Sequence, residues 1–389
     1  MPDVAIVGAG PSGSVAAKML SQEGFSVTLF DKERLPRHKH CAGFISQRSS
    51  QLLRSLGIDC TSLLSRLSGF EINCGEKSLK IEFDEEAGNA YRDEFDYFLT
   101  KKAEENGAEV VDSTKIDYIE RRDEGRYVLG GGGISREFDV VIGADGVYSY
   151  TRRYLGISYP RERMGVSVEA DIVLSGSDFR ELRDRNYYYI GFLKNGYGWV
   201  FPRSSDNSVN IGVWTSSGDA LKSGANLRDV FSRFLGEQGW YHGEEVDAHG
   251  YLLPFKGTVD ELGRDRVLLV GDAAGFVGLA GEGIPYAVES GMHAAESVKE
   301  WQDDGGGLVD IYTGRCRGLV EEINEYHVRL NGLFFKPAIF NQVIRMAETD
   351  EYVSGLMGRL ATHSTPFNEL VDEVSYWRVV KAFFRSLFR

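Results

Sequence analysis

The chain has 389 residues, of which 42% are hydrophobic and 26% charged, and its formal net charge is -14 at pH 7. This length holds two domains, or one domain with an insertion, and the composition excludes a disordered chain and a polytopic membrane protein. A strongly acidic protein repels phosphate backbones, so we expect no nucleic acid partner.

The cysteines and the ends of the predicted elements indicate the cellular setting. Cys41, Cys60, Cys74 and Cys316 form no CxxC pair, which indicates neither a zinc site nor a disulfide framework. We therefore expect no metal and a reduced, cytoplasmic location. The first strand is predicted almost at the first residue, which leaves no room for a signal peptide, and no apolar run reaches the length of a spanning helix.

Residues 3–31 contain the pattern around which the rest of the chain is organised. An apolar run at 4–7 predicts a buried parallel strand, followed by a GxGxxG motif and an Ala-rich helix that ends near Gly24. A second strand, Ser26–Phe30, ends at an acidic residue, Asp31. This βαβ arrangement predicts a dinucleotide-binding domain.

Each part of this motif has its own expected task. Gly8 makes the tight turn, Gly10 lets the backbone approach a pyrophosphate, and Gly13 lets helix and strand pack closely. The helix N-terminus faces the phosphates, and Asp31 is placed to accept hydrogen bonds from the adenosine ribose. The residues expected to contact the nucleotide are Gly8, Gly10, Pro11, Ser12, Gly13, Asp31 and Lys32.

A basic loop, 37–40, follows and ends at Cys41, Ala42 and Gly43. In a flavin-type domain this loop approaches the isoalloxazine, which makes Cys41 a candidate catalytic residue at the reactive end of the cofactor. The alternative is a small buried apolar residue, the commonest state of a free cysteine. The basic neighbours either favour a thiolate or an anionic ligand, or form a solvated charged loop.

Helical and alternating segments follow one another from residue 45 to residue 143. The predicted helices are 45–56 and 91–106, and the predicted strands are 69–74, 78–83, 108–111, 116–121, 125–129 and 138–143. The Gly run 130–133 precedes no helix, so we interpret it as a hairpin tip. The last strand ends in Gly-Ala-Asp145-Gly146, which can bring backbone and a carboxylate beside a cofactor.

Between residues 164 and 251 the segments are alternating and aromatic-rich, and only one helix is expected, at 226–235. We predict an antiparallel sheet, a candidate substrate domain, with strands at 166–174, 186–193, 196–202 and 208–214. Its third strand carries a run of pocket candidates, which are Tyr197, Trp199, Phe201 and Pro202. The three aromatic residues share one face, which is either core packing or the wall of an apolar pocket.

A further buried strand at 266–271 opens a Gly-Asp-Ala-Ala-Gly turn and leads to a helix that ends near residue 301. Asp272 is placed to hold a polyol chain, and the helix N-terminus directs a positive dipole at whatever lies there. The residues expected at the cofactor are Gly271, Asp272, Gly281, Gly283 and Ile284.

Three separated elements together resemble the FAD-binding fingerprints of the p-hydroxybenzoate hydroxylase-like flavoproteins. They are the GxGxxG motif with Asp31, the turn 143–146 and the turn 271–275. The resemblance implies FAD as the cofactor. It also places Arg92 at the flavin or pyrophosphate and Asp272 at the ribityl chain.

Within that superfamily, the Tyr-x-Trp-x-Phe-Pro element at 197–202 and Cys41 ahead of Gly43 are similar to the geranylgeranyl reductase family. In that family Gly-x-Gly usually follows the aromatic motif, whereas residues 210–212 are Asn-Ile-Gly. The resemblance implies saturation of isoprenoid double bonds of a prenyl lipid, in membrane-lipid biosynthesis, by hydride transfer from reduced flavin. No second GxGxxG is present, so the electron donor stays open between NAD(P)H and a ferredoxin-like protein.

Two other functions share the FAD fingerprints. One is a flavin monooxygenase or halogenase acting on an aromatic or phenolic substrate, although the halogenase Trp-x-Trp-x-Ile-Pro element is absent. The other is a non-enzymatic flavin carrier or regulatory subunit.

The predicted fold class is α/β with α+β character. A Rossmann-type FAD-binding domain carries an inserted antiparallel-sheet substrate domain and is followed by a helical C-terminal region. The predicted boundaries are 1–68, 92–160 and 255–307 for the FAD-binding domain, 69–91 and 161–254 for the substrate domain, and 308–389 for the C-terminal region.

The last segment, 377–389, has a basic and an apolar face when it is placed on a helix, with Arg378, Lys381, Arg385 and Arg389 along the basic one. Such a helix is typical of peripheral contact with an anionic membrane, here its inner face. The alternative is a helix that closes the core or makes a subunit contact.

Overall fold

The computed structural model describes residues 1–83, 86–123, 125–216, 226–243, 245–328, 330, 335–362, 369–370, 374, 378–379 and 383. In chain order the strands β1 to β19 are Asp3–Val7, Ser26–Phe30, Phe44–Ile45, Ser65–Arg66, Gly69–Cys74, Lys77–Glu82, Gly88–Asn89, Glu109–Val111, Tyr118–Arg121, Tyr127–Gly131, Ile134–Phe138, Val140–Gly143, Met164–Val173, Arg185–Ile190, Gly196–Arg203, Ser208–Ser216, His249–Pro254, Gly263–Arg264 and Val267–Leu269. The α-helices α1 to α11 are Pro11–Gln22, Gln47–Ser55, Arg92–Glu105, Tyr150–Tyr154, Gly176–Leu182, Leu227–Gly236, Ile284–Asp304, Leu308–Arg315, Arg317–Glu321, Pro337–Thr349 and Glu351–Thr362.

A six-stranded sheet in the order β18-β19-β12-β1-β2-β8 forms the centre of the nucleotide half. From β1 the chain builds outward through β2 and β8 and then returns to β12 on the other side of β1, and these strands run parallel. The carboxyl end of β1 is therefore a topological switch point, where open α/β sheets bind ligands. The GxGxxG loop starts at this point, at Gly8.

The strand predicted at 138–143 is divided at Asp139 into β11 and β12. The reason is that β11 pairs with β10 in a separate three-stranded sheet, while β12 joins the central one. Between β10 and β11 the Gly run makes the hairpin turn, with φ of 60° at Gly132 and 86° at Gly133, which is the left-handed region that glycine adopts without strain.

A seven-stranded sheet in the order β17-β13-β16-β15-β14-β5-β6 forms the second half. The four strands predicted here, β13 to β16, pair antiparallel as expected. The neighbouring β5 pairs with β14 in parallel, because no hairpin turn joins those two strands to impose the opposite direction. One prediction for this region was wrong. A second helix, α5, lies between β13 and β14; it is too short for a periodic pattern and depends on its Ser175 cap, which accepts from the Asp178 N–H.

The helices α10 and α11 pack against the β5 and β6 side of this sheet, where Phe340 and Ile344 join an apolar cluster with Phe70 and Ile72. Most of segment 377–389 lies outside the described residues. Within the described ones, the Arg378 guanidinium lies 5.1 Å from the ring centre of Tyr352, and Val379 packs against the same cluster. Among the described helices, none combines the length and the apolar character that crossing a bilayer requires.

Candidate active site

A cavity of about 230 Å³ lies between the α1 N-terminus and the seven-stranded sheet. Many residues singled out in the sequence line it, namely Pro11, Cys41, Ala42, Gly43, Arg92, Tyr197, Trp199, Phe201, Asp272, Gly281, Gly283 and Ile284. Phe70, Ile72, Ile190 and Met357 make its walls apolar on the side of α11. The structure thus joins the predicted cofactor loops and the predicted aromatic face in one space.

The GxGxxG loop beside this cavity has the shape of an open cradle. Gly8 has a φ of 112°, and a Cβ there would lie 2.3 Å from the Ala144 carbonyl oxygen. A Cβ at Gly13 would lie 2.0 Å from the Gly8 carbonyl oxygen, so both positions exclude a side chain for packing reasons. A Cβ at Gly10 would lie 3.9 Å from the Nη2 of Arg37, and no other described atom beyond its chain neighbours and its own helix is nearer. Gly10 therefore faces free space beside a cation.

The helix that follows leaves its positive end available to an anion. No side chain of the described residues caps the α1 N-terminus, and its first turn has no acidic residue. Pro11 lines the cavity, while a Cβ at Gly271 would lie 2.9 Å from the Ser12 Oγ. Backbone N–H groups at a helix N-terminus bind phosphate, so an FAD pyrophosphate matches this cradle.

Four charged side chains, of which three are buried and one is 13% exposed, form an alternating series from β2 to the cavity. Asp31 Oδ2 accepts from the Ala9 N–H and from Arg37 Nε, both at 3.0 Å. Arg37 Nη1 donates to Asp96 Oδ2 at 3.1 Å, and Arg92 donates to both oxygens of Asp96 at 2.8 and 3.0 Å. Burial opposes the charge of Asp96, but Arg92 and Arg37 outweigh it and hold its pKa below the usual value. We call these residues, Asp31, Arg37, Asp96 and Arg92, the charge series.

The charge series gives one predicted residue, Asp31, a defined structural role, whereas Lys32 lies outside the series. Asp31 orders the start of the GxGxxG loop through Ala9 and holds Arg37 beside Gly10. Its contact with a ribose stays a prediction. Lys32, the next residue, has a side chain 66% exposed and pairs only loosely with Glu33, at 3.9 Å, outside the cavity lining.

Asp145 organises the turn that carries it. Its carboxylate accepts from the Ser149 hydroxyl at 2.5 Å and from the N–H of Thr151 at 2.9 Å, which fixes the turn around Gly146 ahead of α4. Arg152, which the sequence did not single out, joins this turn to the 271–275 turn by donating to the Ala273 carbonyl at 2.9 Å. Asp145 and Gly146 lie outside the described lining of the cavity, and their cofactor contact stays a prediction.

A second positive helix end meets the cavity at α7. No described side chain caps this helix, its first turn carries no acidic residue, and Gly283 and Ile284 line the cavity. Asp272 lies beside it, 3.7 Å from Lys39 Nζ. Burial disfavours the Lys39 charge, but Tyr251 and Asp272 outweigh this effect and hold the pKa of Lys39 above its usual value. Lys39 and the α7 N-terminus thus place positive charge at this end of the cavity.

Cys41 lies half-buried at the cavity, whereas the other three cysteines are buried. Its sulfur accepts from the Gly43 N–H at 3.4 Å and lies beside the Arg92 guanidinium. On the other side of the loop, Arg203 donates to the Cys41 carbonyl at 3.3 Å. The loop is therefore held by two arginines, with the thiol exposed to the cavity.

The aromatic face of β15 forms a wall of the same cavity. Tyr197 donates its hydroxyl to the Ala280 carbonyl at 2.5 Å, and Trp199 Nε1 donates to Asn210 Oδ1 at 2.7 Å. A Cβ at Gly212 would lie 2.2 Å from the Trp199 ring. In the Asn-Ile-Gly sequence, Asn210 therefore accepts the hydrogen bond of Trp199 and Gly212 leaves room for its ring. Pro202 lies beyond the described lining, and its carbonyl accepts from Asn89.

Glu169 on β13 is a titratable residue of the cavity that sequence reasoning missed. Burial and the nearby Asp171 raise its pKa to about 7. The signal was present in the Val-Ser-Val-Glu-Ala-Asp-Ile alternation of β13, which places one polar face on an otherwise apolar strand.

The cradle, two uncapped helix ends and a connected apolar cavity define the class of this protein as an FAD-dependent oxidoreductase with a p-hydroxybenzoate hydroxylase-like fold. The FAD binding domain family matches residues 1–323, and the chain belongs to that family. The predicted fold class and the predicted cofactor, FAD, are thereby confirmed.

Curated relatives narrow the class. The chain is 31% identical to the menaquinone reductase of Mycolicibacterium smegmatis over 342 residues, which are 82% of this chain and 80% of that protein. It is 28% identical to the digeranylgeranylglycerophospholipid reductase of Methanosarcina acetivorans over 81% of this chain and 80% of that protein. The geranylgeranyl reductase resemblance of the sequence is thus confirmed.

Solved structures share the fold over nearly the whole chain. A geranylgeranyl bacteriochlorophyll reductase-like protein from Thermoplasma acidophilum superposes with a TM-score of 0.79 at 20% identity, covering 96% of this chain and 98% of that one. The flavin-dependent halogenase CmlS superposes with a TM-score of 0.71 at 21% identity, covering 99% and 77%. At these identities the likeness is one of fold.

Proposed function

We propose that this protein is an FAD-dependent reductase that saturates isoprenoid double bonds of a prenyl lipid, in membrane-lipid biosynthesis. The observation that carries the proposal is the apolar cavity, which continues from the cofactor loops at Gly43 and Gly283 to Ile72, Ile190 and Met357. The relatives support it, because menaquinone and digeranylgeranylglycerophospholipid both carry polyisoprenoid chains.

An isolated alkene offers no polar group to hold, so its position must come from apolar contact. Each buried CH₂ contributes about 0.8 kcal/mol, which the walls of Phe70, Ile72 and Ile190 can supply along a chain. The same walls exclude water, which protects a hydride donor and keeps the reacting groups at contact distance. Bound and reduced, FAD supplies the hydride.

The residues at the cofactor end have separate tasks in this proposal. The α1 N-terminus and Arg37 hold the pyrophosphate, and Lys39 with the α7 N-terminus stabilises negative charge on the reduced ring. Tyr197 ties the aromatic wall to the 3-10 turn Leu279–Gly281, which keeps that turn at the cavity. Cys41 is proposed to lie close to the reacting alkene.

The decisive experiment is anaerobic turnover of a geranylgeranyl lipid with dithionite as the reductant, followed by mass spectrometry. We expect the product to gain two hydrogens for each double bond. If the enzyme instead consumed oxygen in proportion to a hydroxylated phenolic product, or halogenated a phenol, and left prenyl lipids unchanged, it would be a monooxygenase or halogenase. Replacing dithionite by NADPH, or by a reduced ferredoxin, identifies the class of electron donor.

We further propose that the basic segment 377–389 brings the enzyme to its lipid at an anionic membrane surface. Each basic residue near such a surface adds about 1 kcal/mol, so binding should weaken with salt. Full-length protein is expected to cosediment with anionic vesicles and a chain ending at Tyr376 is expected to lose binding. Equal binding by both chains, or binding by neither, would refute the membrane contact. Loss of folding in the shorter chain would assign the segment to internal packing, in line with the Val379 contact.

A further inference from the structure

Saturating an alkene needs a proton as well as a hydride, and this requirement rests on the proposed function. The strand β13 presents a suitable acid to the cavity. Val168 and Ala170 pack into an apolar cluster on one face of β13, while Ser167 and Glu169 line the cavity on the other. Only 5% of Glu169 is exposed, so its carboxyl group faces the cavity and not bulk water.

We propose that Glu169 is the proton donor to the alkene carbon that does not receive the hydride. The O–H bond of its carboxyl group breaks and leaves Glu169 as a carboxylate. The π electrons of the alkene form the new C–H bond with the proton. The two electrons of the reduction come from reduced FAD, which an external NAD(P)H or ferredoxin-like donor regenerates. Water then returns the proton to Glu169.

The groups around Glu169 give it the acid strength for this step. Burial and the charge of Asp171 raise its pKa, while Arg203, Arg92 and the N–H of Cys41 lower it, and the result is a pKa of about 7. A general acid works best when its pKa lies near the working pH.

Two buried phenols of the cavity are weaker acids. Burial raises the pKa of Tyr188 and Tyr197 well above that of a free phenol, and Asp96 keeps Arg92 charged.

A chain of imidazoles connects Glu169 with the surface and can return a proton to its carboxylate. His40 Nδ1 lies 3.9 Å from Glu169 Oε1, and the His40 ring lies 4.6 Å from that of His249. His249, which pairs with Glu169 between β13 and β17, has a side chain 46% exposed and contacts Asp247 at 3.0 Å. Burial, together with His38 and His249, lowers the pKa of His40, so it stays neutral and can pass a proton from water to the carboxylate.

The first test uses the protein without lipid. Infrared difference spectra of the wild type, recorded across a pH titration, should show a protonated carboxyl band that is half lost near pH 7, and this band should be missing in Glu169→Gln. Asp171→Asn removes a negative neighbour and should move the midpoint to lower pH. Cys41→Ala should leave a titrating band in place. A wild type without a band that titrates near neutral pH would overturn the proposal.

The second test follows single-turnover oxidation of the reduced holoenzyme by a geranylgeranyl lipid. Glu169→Gln should keep its FAD and slow the reaction about a hundredfold to ten-thousandfold. The wild-type rate should fall above pH 7 while the rate of the variant stays flat. A variant as fast as the wild type would refute Glu169 as the donor and leave the reductase function standing. A wild type that reduces no prenyl lipid would refute the function itself.

Discussion

Asp96→Asn tests whether the charge series holds the cofactor end of the protein together. Asp96 is 1% exposed and accepts three hydrogen bonds from two arginines, Arg92 and Arg37. The amide keeps the shape of the side chain but removes the charge, and its NH₂ group points a donor at a guanidinium. Arg92, which is buried, is then left with a neutral acceptor only, while Arg37 keeps its pairing with Asp31.

Removing one partner of a buried ion pair costs about 3–5 kcal/mol, because the remaining charge stays buried without compensation. That is a large part of the free energy of unfolding of a whole domain, which is typically about 5–15 kcal/mol. The pKa of Asp96 is depressed in the folded protein, so its contribution is present above the unfolded pKa of about 3.9 and is lost as the pH falls through the folded value. The gap between wild type and variant should therefore be constant from about pH 5 to pH 8 and narrow below about pH 4.

Urea unfolding of both proteins at several pH values measures this gap. Glu105→Gln on the same helix, α3, is the matched control, because Glu105 is 59% exposed and pairs with Lys102 at 2.7 Å on the surface. An exposed pair of this kind contributes less than about 1 kcal/mol. If Asp96→Asn cost no more than Glu105→Gln, or if its cost did not change in acid, the charge series would not stabilise the fold as argued.

Three further substitutions test the site. Gly10→Val should give a folded protein, because the nearest atom lies 3.9 Å from a Cβ there, but one without FAD, because the side chain fills the space expected for the pyrophosphate. Gly13→Ala should instead destabilise the fold itself, because a Cβ there lies 2.0 Å from the Gly8 carbonyl oxygen. Absorbance of the bound flavin and thermal unfolding separate the two outcomes. Cys41→Ala should keep FAD and slow lipid reduction, and unchanged turnover would make Cys41 a packing residue. Tyr197→Phe loses the bond to Ala280, which should cost about 1 kcal/mol in urea unfolding and slow turnover; a variant unchanged in both would show that this bond does not hold the turn.

The sequence alone determined the elements that depend on neighbouring residues. Ser26–Phe30 appears in the structure with the predicted bounds, and Gly8 adopts the left-handed φ that its tight turn requires. The fold class and FAD followed from three such local patterns, because strand periodicity and glycine-rich turns are encoded within a few residues. The reductase family followed from the resemblance carried by the 197–202 element and by Cys41 ahead of Gly43. Helix α5 was not predicted, because its seven residues are too few to show a helical period.

Only the tertiary structure decided which distant residues meet. Asp31 and Asp96 share Arg37 although 65 positions separate them, and Glu169 meets His40 from 129 positions away. The parallel pairing of β14 with β5 belongs to the same category. Strand direction and register depend on how whole segments bury their faces against one another, and no periodic signal within a segment records that choice.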